Sequence, residues 1–187
     1  LANISKTGAE YARTAINEAD TDKFEELRNK LVKYEEISDR VEYEIASFLN
    51  GVSSEEISEI TSKQIKAMYK IIGELESLGD SGESISRILS RKNIHKKKFD
   101  DESIKNLNTM AKAVTDAYDV MIENLRKKDN IDLAAAHNCE YNINECRNHL
   151  REEHIVNIES DSYNYLTGVY YMDVLSELEK VGDFLIN

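Results

Sequence analysis

The sequence predicts an all-α chain built as a tandem repeat of two antiparallel three-helix bundles, six helices in all. Three observations carry that prediction. Proline is absent from the 187 residues and glycine occurs only seven times, and strands with tight turns need both. Apolar residues recur at spacings of three and four over long stretches, the period of a helix with one buried stripe. A seven-residue string near the middle of the chain returns 103 residues later, close to the end. A length of 187 residues is enough for one domain with a sizeable core or two small ones.

The first helix is expected over about 3–19, ending at Asp20-Thr21-Asp22. The second runs from about 22 to 50, with a stripe of Phe24, Leu27, Leu31, Tyr34, Val41, Ile45 and Phe48. Asn50-Gly51 is read as its stop. Ser53 or Ser54 is the expected cap of the third helix, with Glu56 completing a capping box after Ser53. That helix continues to about residue 90 along Ile71, Leu75, Leu78, Gly82, Ile85 and Leu89, a heptad-like stripe. The basic stretch 91–99 has no periodicity and reads as a linker. The fourth helix is placed at about 101–127 and the fifth at about 131–158. The sixth, capped by Ser160 or Asp161, reaches the end of the chain. The boundaries are therefore 1–91 for the first three-helix repeat, 92–100 for the linker and 101–187 for the second repeat.

The repeat is visible in residues. Glu74-Leu75-Glu76-Ser77-Leu78-Gly79-Asp80 matches Glu177-Leu178-Glu179-Lys180-Val181-Gly182-Asp183 at five of seven positions. The helices before these strings align at an offset of 105, which puts Glu35 on Glu140, Asp39 on Asn144, Val41 on Cys146 and Ile45 on Leu150.

Composition excludes several classes. A net charge of −12 repels phosphate backbones and argues against nucleic acid as a partner. No apolar run approaches the roughly 18 residues of a membrane span. Cys139 and Cys146, on one helix, stand about 10 Å apart by the helical rise, too far for a disulfide. They are read as two small core thiols of a reducing, intracellular compartment. No Glu stands three residues before any of the four histidines, which disfavours a ferritin-like di-iron site. Neither a Gly-rich phosphate loop nor a nucleophile–base spacing occurs, so no enzyme is expected. The chain opens on Leu1-Ala2-Asn3 and ends inside an apolar-periodic segment, and the expectation is a piece excised from a longer protein.

The candidate site is acidic. On a helical wheel Glu76 and Asp80 stack four residues apart, away from the apolar stripe; Glu179 and Asp183 repeat the pair. Glu35, Asp39 and Glu42 share one flank of the second helix, so the first half can gather five carboxylates. Like charges at this spacing repel, and a divalent cation, an Arg or Lys, or solvent must answer them. The glycine before each aspartate costs about 1 kcal/mol in a helix interior, and a close backbone approach would account for it. In the second half Asn144 and Arg147 replace Asp39 and Glu42, and Arg151 follows, so an Arg–carboxylate network is expected there. The basic stretch, with Arg91, Lys92, Lys96, Lys97 and Lys98, is either a solvated connector or a contact for anionic lipid or phosphate.

These strings resemble the acidic third-helix motif of PhoU proteins, with its Glu-x-x-x-Asp core present once per three-helix repeat. Glu35-Glu36-Ile37-Ser38-Asp39-Arg40-Val41-Glu42 resembles the acidic motif of the middle helix. Ile143-Asn144-Glu145-Cys146-Arg147-Asn148-His149-Leu150-Arg151-Glu152-Glu153-His154 is similar to a pattern in the PhoU-like cytoplasmic domain of bacterial sodium/phosphate cotransporters. The resemblance implies a PhoU-like tandem fold and a non-catalytic regulatory domain of a sodium-dependent phosphate transporter on the cytoplasmic side of the membrane. Its partner would be the transmembrane portion of the same chain or a transporter complex, and a second copy of the chain is the other partner class. A free cytosolic PhoU-type regulator and a purely structural helical module are the alternatives. The resemblance also implies a divalent or multinuclear metal, iron, zinc or magnesium, carried onto Glu35, Asp39, Glu76, Asp80, Glu179 and Asp183.

Overall fold

The computed structural model describes residues 1–54, 56–127, 130–158 and 164–186. Among them the structure is all-helical. The order is α1 (Ala2–Asn17), α2 (Thr21–Ser53), α3 (Glu59–Ile94), α4 (Asp101–Arg126), α5 (Leu133–Ile158) and α6 (Tyr165–Ile186). Side-chain caps fix most starts. Asp20 accepts from the Lys23 amide, Ser58 from Thr61, Asp100 from Ser103 and Asn164 from Thr167, each answering an amide that lacks a partner inside the helix.

Packing divides the helices into an inner ring and two flanks. Among the described residues α1, α3, α6 and α4 touch in a closed cycle, while α2 packs only on α1 and α3, and α5 only on α4 and α6. One continuous core runs through both halves, with Phe24, Leu31, Ile85, Leu107, Tyr118 and Leu175 among its fully buried side chains. The flanking position of α5 explains its sparse burial, confined to Ile143 and Leu150. A small second core of Leu49, Ile65 and Ile72 joins the far ends of α2 and α3.

Several expectations shift. Gly51 does not end α2, which runs on to Ser53. Ser53 and Ser54 do not cap α3, because their hydroxyls bond backward to the carbonyls of Leu49 and Gly51; Ser58 is the cap, so the box with Glu56 does not form. Phe48 and Ile71 leave the apolar stripe, at 71% and 40% exposure, and Leu49 and Ile72 replace them in the buried set. Over helices this long a stripe repeating every seven residues drifts around the surface. The linker also shortens. α3 includes Lys92, Asn93 and Ile94, leaving 95–100 as the connection. The expected caps of α6, Ser160 and Asp161, lie outside the described residues.

Candidate functional site: two acidic faces

α2 and α3 come close together at Ser38 and Gly79. Ser38 is buried, and a Cβ built on Gly79 would stand 2.8 Å from its Oγ and 2.9 Å from its Cβ. The glycine is therefore what lets the two helices come this near. The second half repeats the device. A Cβ on Gly182 would stand 2.8 Å from Ile143 Cγ2. Gly73, by contrast, has open space beside it.

The residues after Ser38 and Gly79 are Asp39 and Asp80. With Glu35, one turn before Asp39, they each offer a carboxylate oxygen, and the three oxygens lie within 4.8 Å of one another. Two oxygens bound at about 2.4 Å to one ion are at most about 4.8 Å apart. The spacing and the hard oxygen donors thus suit a single divalent cation. Glu35 is half-buried, and Asp39 and Asp80 are exposed.

The electrostatics of this face are unfavourable to its own charges. Burial first, then Asp39, Asp80 and Glu83, push the Glu35 carboxyl up from its ordinary range. Burial, Asp80 and Asp39 do the same to Glu76, against a 3.3 Å hydrogen bond from Ser77. Burial and Asp39 raise Asp80, while Arg87 and contact with Glu76 pull it back. Arg87 is itself held by Glu83, at 2.8 Å.

The face is therefore a core of Glu35, Asp39 and Asp80 with Glu76 beside it. Glu42, one of the five expected carboxylates, adds only the weakest of the repulsions on Glu76. Glu83 belongs to the face and was missed. It lies one turn beyond Asp80 at spacings of four and three from Glu76, the signal that could have found it.

The second face is wired differently. Glu179 accepts from Arg147 Nη1 and, at 3.0 Å, from Arg151 Nη2. Its side chain is only 17% exposed, so the two guanidiniums neutralise a largely dehydrated carboxylate. Asp183 stays outside this clamp; burial and Glu179 raise its pKa and Arg147 opposes them. Among the described residues, three acidic or other metal-ligating groups converge only at Glu35, Asp39 and Asp80. Glu179 and Asp183 are not brought into such a group. Cys139 and Cys146, both partly buried, have thiols pushed up by burial.

Inner ring, flanking helices and paired faces make up one six-helix bundle, and solved structures share that arrangement. Two solved structures carry that comparison. PhoU from Pseudomonas aeruginosa superposes with a TM-score of 0.78 at 14% identity, over 100% of this chain and 87% of that one. The phosphate transport system regulatory protein PhoU from Streptococcus pneumoniae gives 0.73 at 15% identity, over 100% and 86%. The chain has the PhoU fold. No protein-family model matches the sequence, and no curated protein matches it. No helix among the described residues is long and apolar enough to cross a membrane.

Proposed function

We propose that this chain is a non-catalytic regulator of phosphate uptake of the PhoU type, acting on the cytoplasmic face of the membrane by docking to a transporter or its signalling complex. The observation that carries the reading is the superposition of the whole chain on two PhoU proteins, one of them a phosphate transport system regulatory protein. The two unlike faces support it. One, Glu35, Asp39 and Asp80 with Glu76, is suited to a divalent cation. The other is neutralised internally by Arg147 and Arg151. On this reading metal belongs to the first face, and the carboxylate of Glu179 serves the bundle.

A second reading, a regulatory domain of a sodium/phosphate cotransporter, is favoured by the run from Ile143 to His154. Its arginines grip Glu179, and its last histidine stacks on Tyr171 at 5.0 Å. The free regulator is the better supported form, because the structural neighbours are PhoU proteins.

The test is radiolabelled phosphate uptake in a bacterium lacking its own PhoU protein, with and without this chain. Restored control of uptake is expected. Uptake unchanged by well-folded, abundant chain would reject the regulator. Sodium dependence of the controlled uptake would select the cotransporter form.

A further inference from the structure

The last turn of α3 holds a group that neither acidic face explains. Lys92 is 8% exposed, yet among the described residues its side chain has no hydrogen bond or ion pair; its ammonium stands over the Phe99 ring at 4.7 Å. The stem of Lys92 is buried while its ammonium keeps some contact with water, and a half-dehydrated ammonium without an anion is unfavourable. Lys92 lines a cleft of about 290 Å³ between the α1–α2 turn and the α3–α4 connection.

Lys96, Lys97 and Lys98 line the same cleft, and none of them is in an ion pair among the described residues. The carboxylate in the lining is Glu18, which already accepts from the Asp20 amide at 2.8 Å. Four lysines thus line a cleft whose one carboxylate is engaged, in a chain whose net charge is −12, and Lys96, Lys97 and Lys98 also border the neighbouring cleft that holds Asp100 and Glu102.

We infer that this cleft binds a phosphate-class oxyanion, with Lys92 as the buried anchor and Lys96, Lys97 and Lys98 closing around it. Lysine serves phosphate as a compact point charge with three donors. A phosphoryl group carries close to two charges at neutral pH, which suits a cleft lined by four lysines better than a singly charged carboxylate does. Burial and Lys98 hold the Lys92 pKa below its ordinary value, and a bound anion relieves that repulsion. The inference does not rest on the regulator reading or on metal at the acidic face.

Free phosphate and the phosphate of an anionic lipid share this chemistry, and two arms separate them. Calorimetric titration with inorganic phosphate, sulfate as competitor, reads the free ion. Co-sedimentation with phosphatidylcholine vesicles, with and without phosphatidic acid, reads the lipid. Binding in either arm is expected to weaken about tenfold or more in Lys92→Met, which keeps the aliphatic stem against Phe99, and to recover in Lys92→Arg. Thermal unfolding without ligand should leave Lys92→Met at or above wild type, since a buried charge is replaced by an apolar chain.

The exposed double variant Lys96→Gln, Lys98→Gln is expected to bind at least about threefold more weakly and decides the matter should Lys92→Met fail to fold. Absence of binding in both arms overturns the inference. Affinity within twofold of wild type in Lys92→Met, or in the double variant where that one decides, also overturns it.

Discussion

Gly79 on α3 faces Ser38 on α2 so closely that a methyl group at Gly79 would lie 2.8 Å from the serine oxygen. That contact sets the axial register of the two helices, and the register brings Asp39 beside Asp80. Gly→Ala in a helix interior ordinarily gains about 1 kcal/mol. Here the colliding atoms include Ser38 Cβ, which the α2 backbone holds in place. Gly79→Ala is expected to lose roughly 1–3 kcal/mol, the usual cost of overpacking. Gly73→Ala, with nothing within 4 Å of its new methyl, is expected to gain up to about 1 kcal/mol. Urea unfolding of the two variants reads the contrast. Equal effects would mean that the close approach does not set the register.

How far the sequence was readable follows from the same contact. Helical periods and the repeated Glu-Leu-Glu-x-x-Gly-Asp string expose the six helices and both glycines. A helical wheel places carboxylates on a face but says nothing of the height at which two helices meet. Five acids therefore looked equivalent until Ser38 against Gly79 fixed the height, which joins Glu35, Asp39 and Asp80 and leaves Glu42 at the margin. Caps were ambiguous because Ser53, Ser54 and Ser58 are chemically alike, and only geometry decides which hydroxyl turns forward to an amide. Lys92 falls within the stretch read as a linker, although it prolongs the 82, 85, 89 spacing of the buried stripe by one further step.

The acidic face makes stability depend on pH with a definite sign. The folded-state pKa values of Glu35, Glu76 and Asp80 are raised. Between the unfolded values and those raised values the folded state holds more protons than the unfolded one, so stability falls as pH rises through that window. In EDTA, the melting temperature is expected to climb as pH drops from neutral toward the ordinary carboxylate range, and to do so less in Glu35→Gln with Asp80→Asn. On the metal reading of this face, a saturating divalent cation would take the place of those protons at neutral pH. Magnesium or zinc should raise the melting temperature of wild type, EDTA should reverse it, and the double variant should respond to neither. A shift of the same size in both proteins would place the ion elsewhere.

Lys96 occupies the left-handed position that closes α3, at φ 52°. The amides of Lys96 and Lys97 bond to the carbonyls of Asn93 and Lys92, the paired bonds of a Schellman close, where glycine is the favoured residue. The left-handed backbone costs a side-chain-bearing residue about 1–2 kcal/mol, and glycine gives back part of that through its larger loss of chain entropy. Lys96→Gly is expected to stabilise the fold by roughly 0.5–1 kcal/mol in chemical denaturation. Because the same change removes one ammonium from the cleft, phosphate affinity should fall as stability rises, a divergence that a purely structural lysine would not produce.

Glu179 is where the two halves of the chain part company chemically. Its carboxylate, 17% exposed, is shared by Arg147 at 20% and Arg151 at 40%. Removing one partner of a buried pair leaves the other charge dehydrated and unanswered, which costs more than losing both. Arg147→Met is expected to destabilise by roughly 1–3 kcal/mol, with the more exposed Arg151→Met at the low end because solvent screens it. Glu179→Gln, which retains volume and hydrogen-bonding oxygen, should cost less than Arg147→Met. Combining Glu179→Gln with Arg147→Met should cost less than the two single losses added together, and a thermodynamic double-mutant cycle measures that coupling directly. Additive losses would mean that the guanidinium and the carboxylate do not compensate one another.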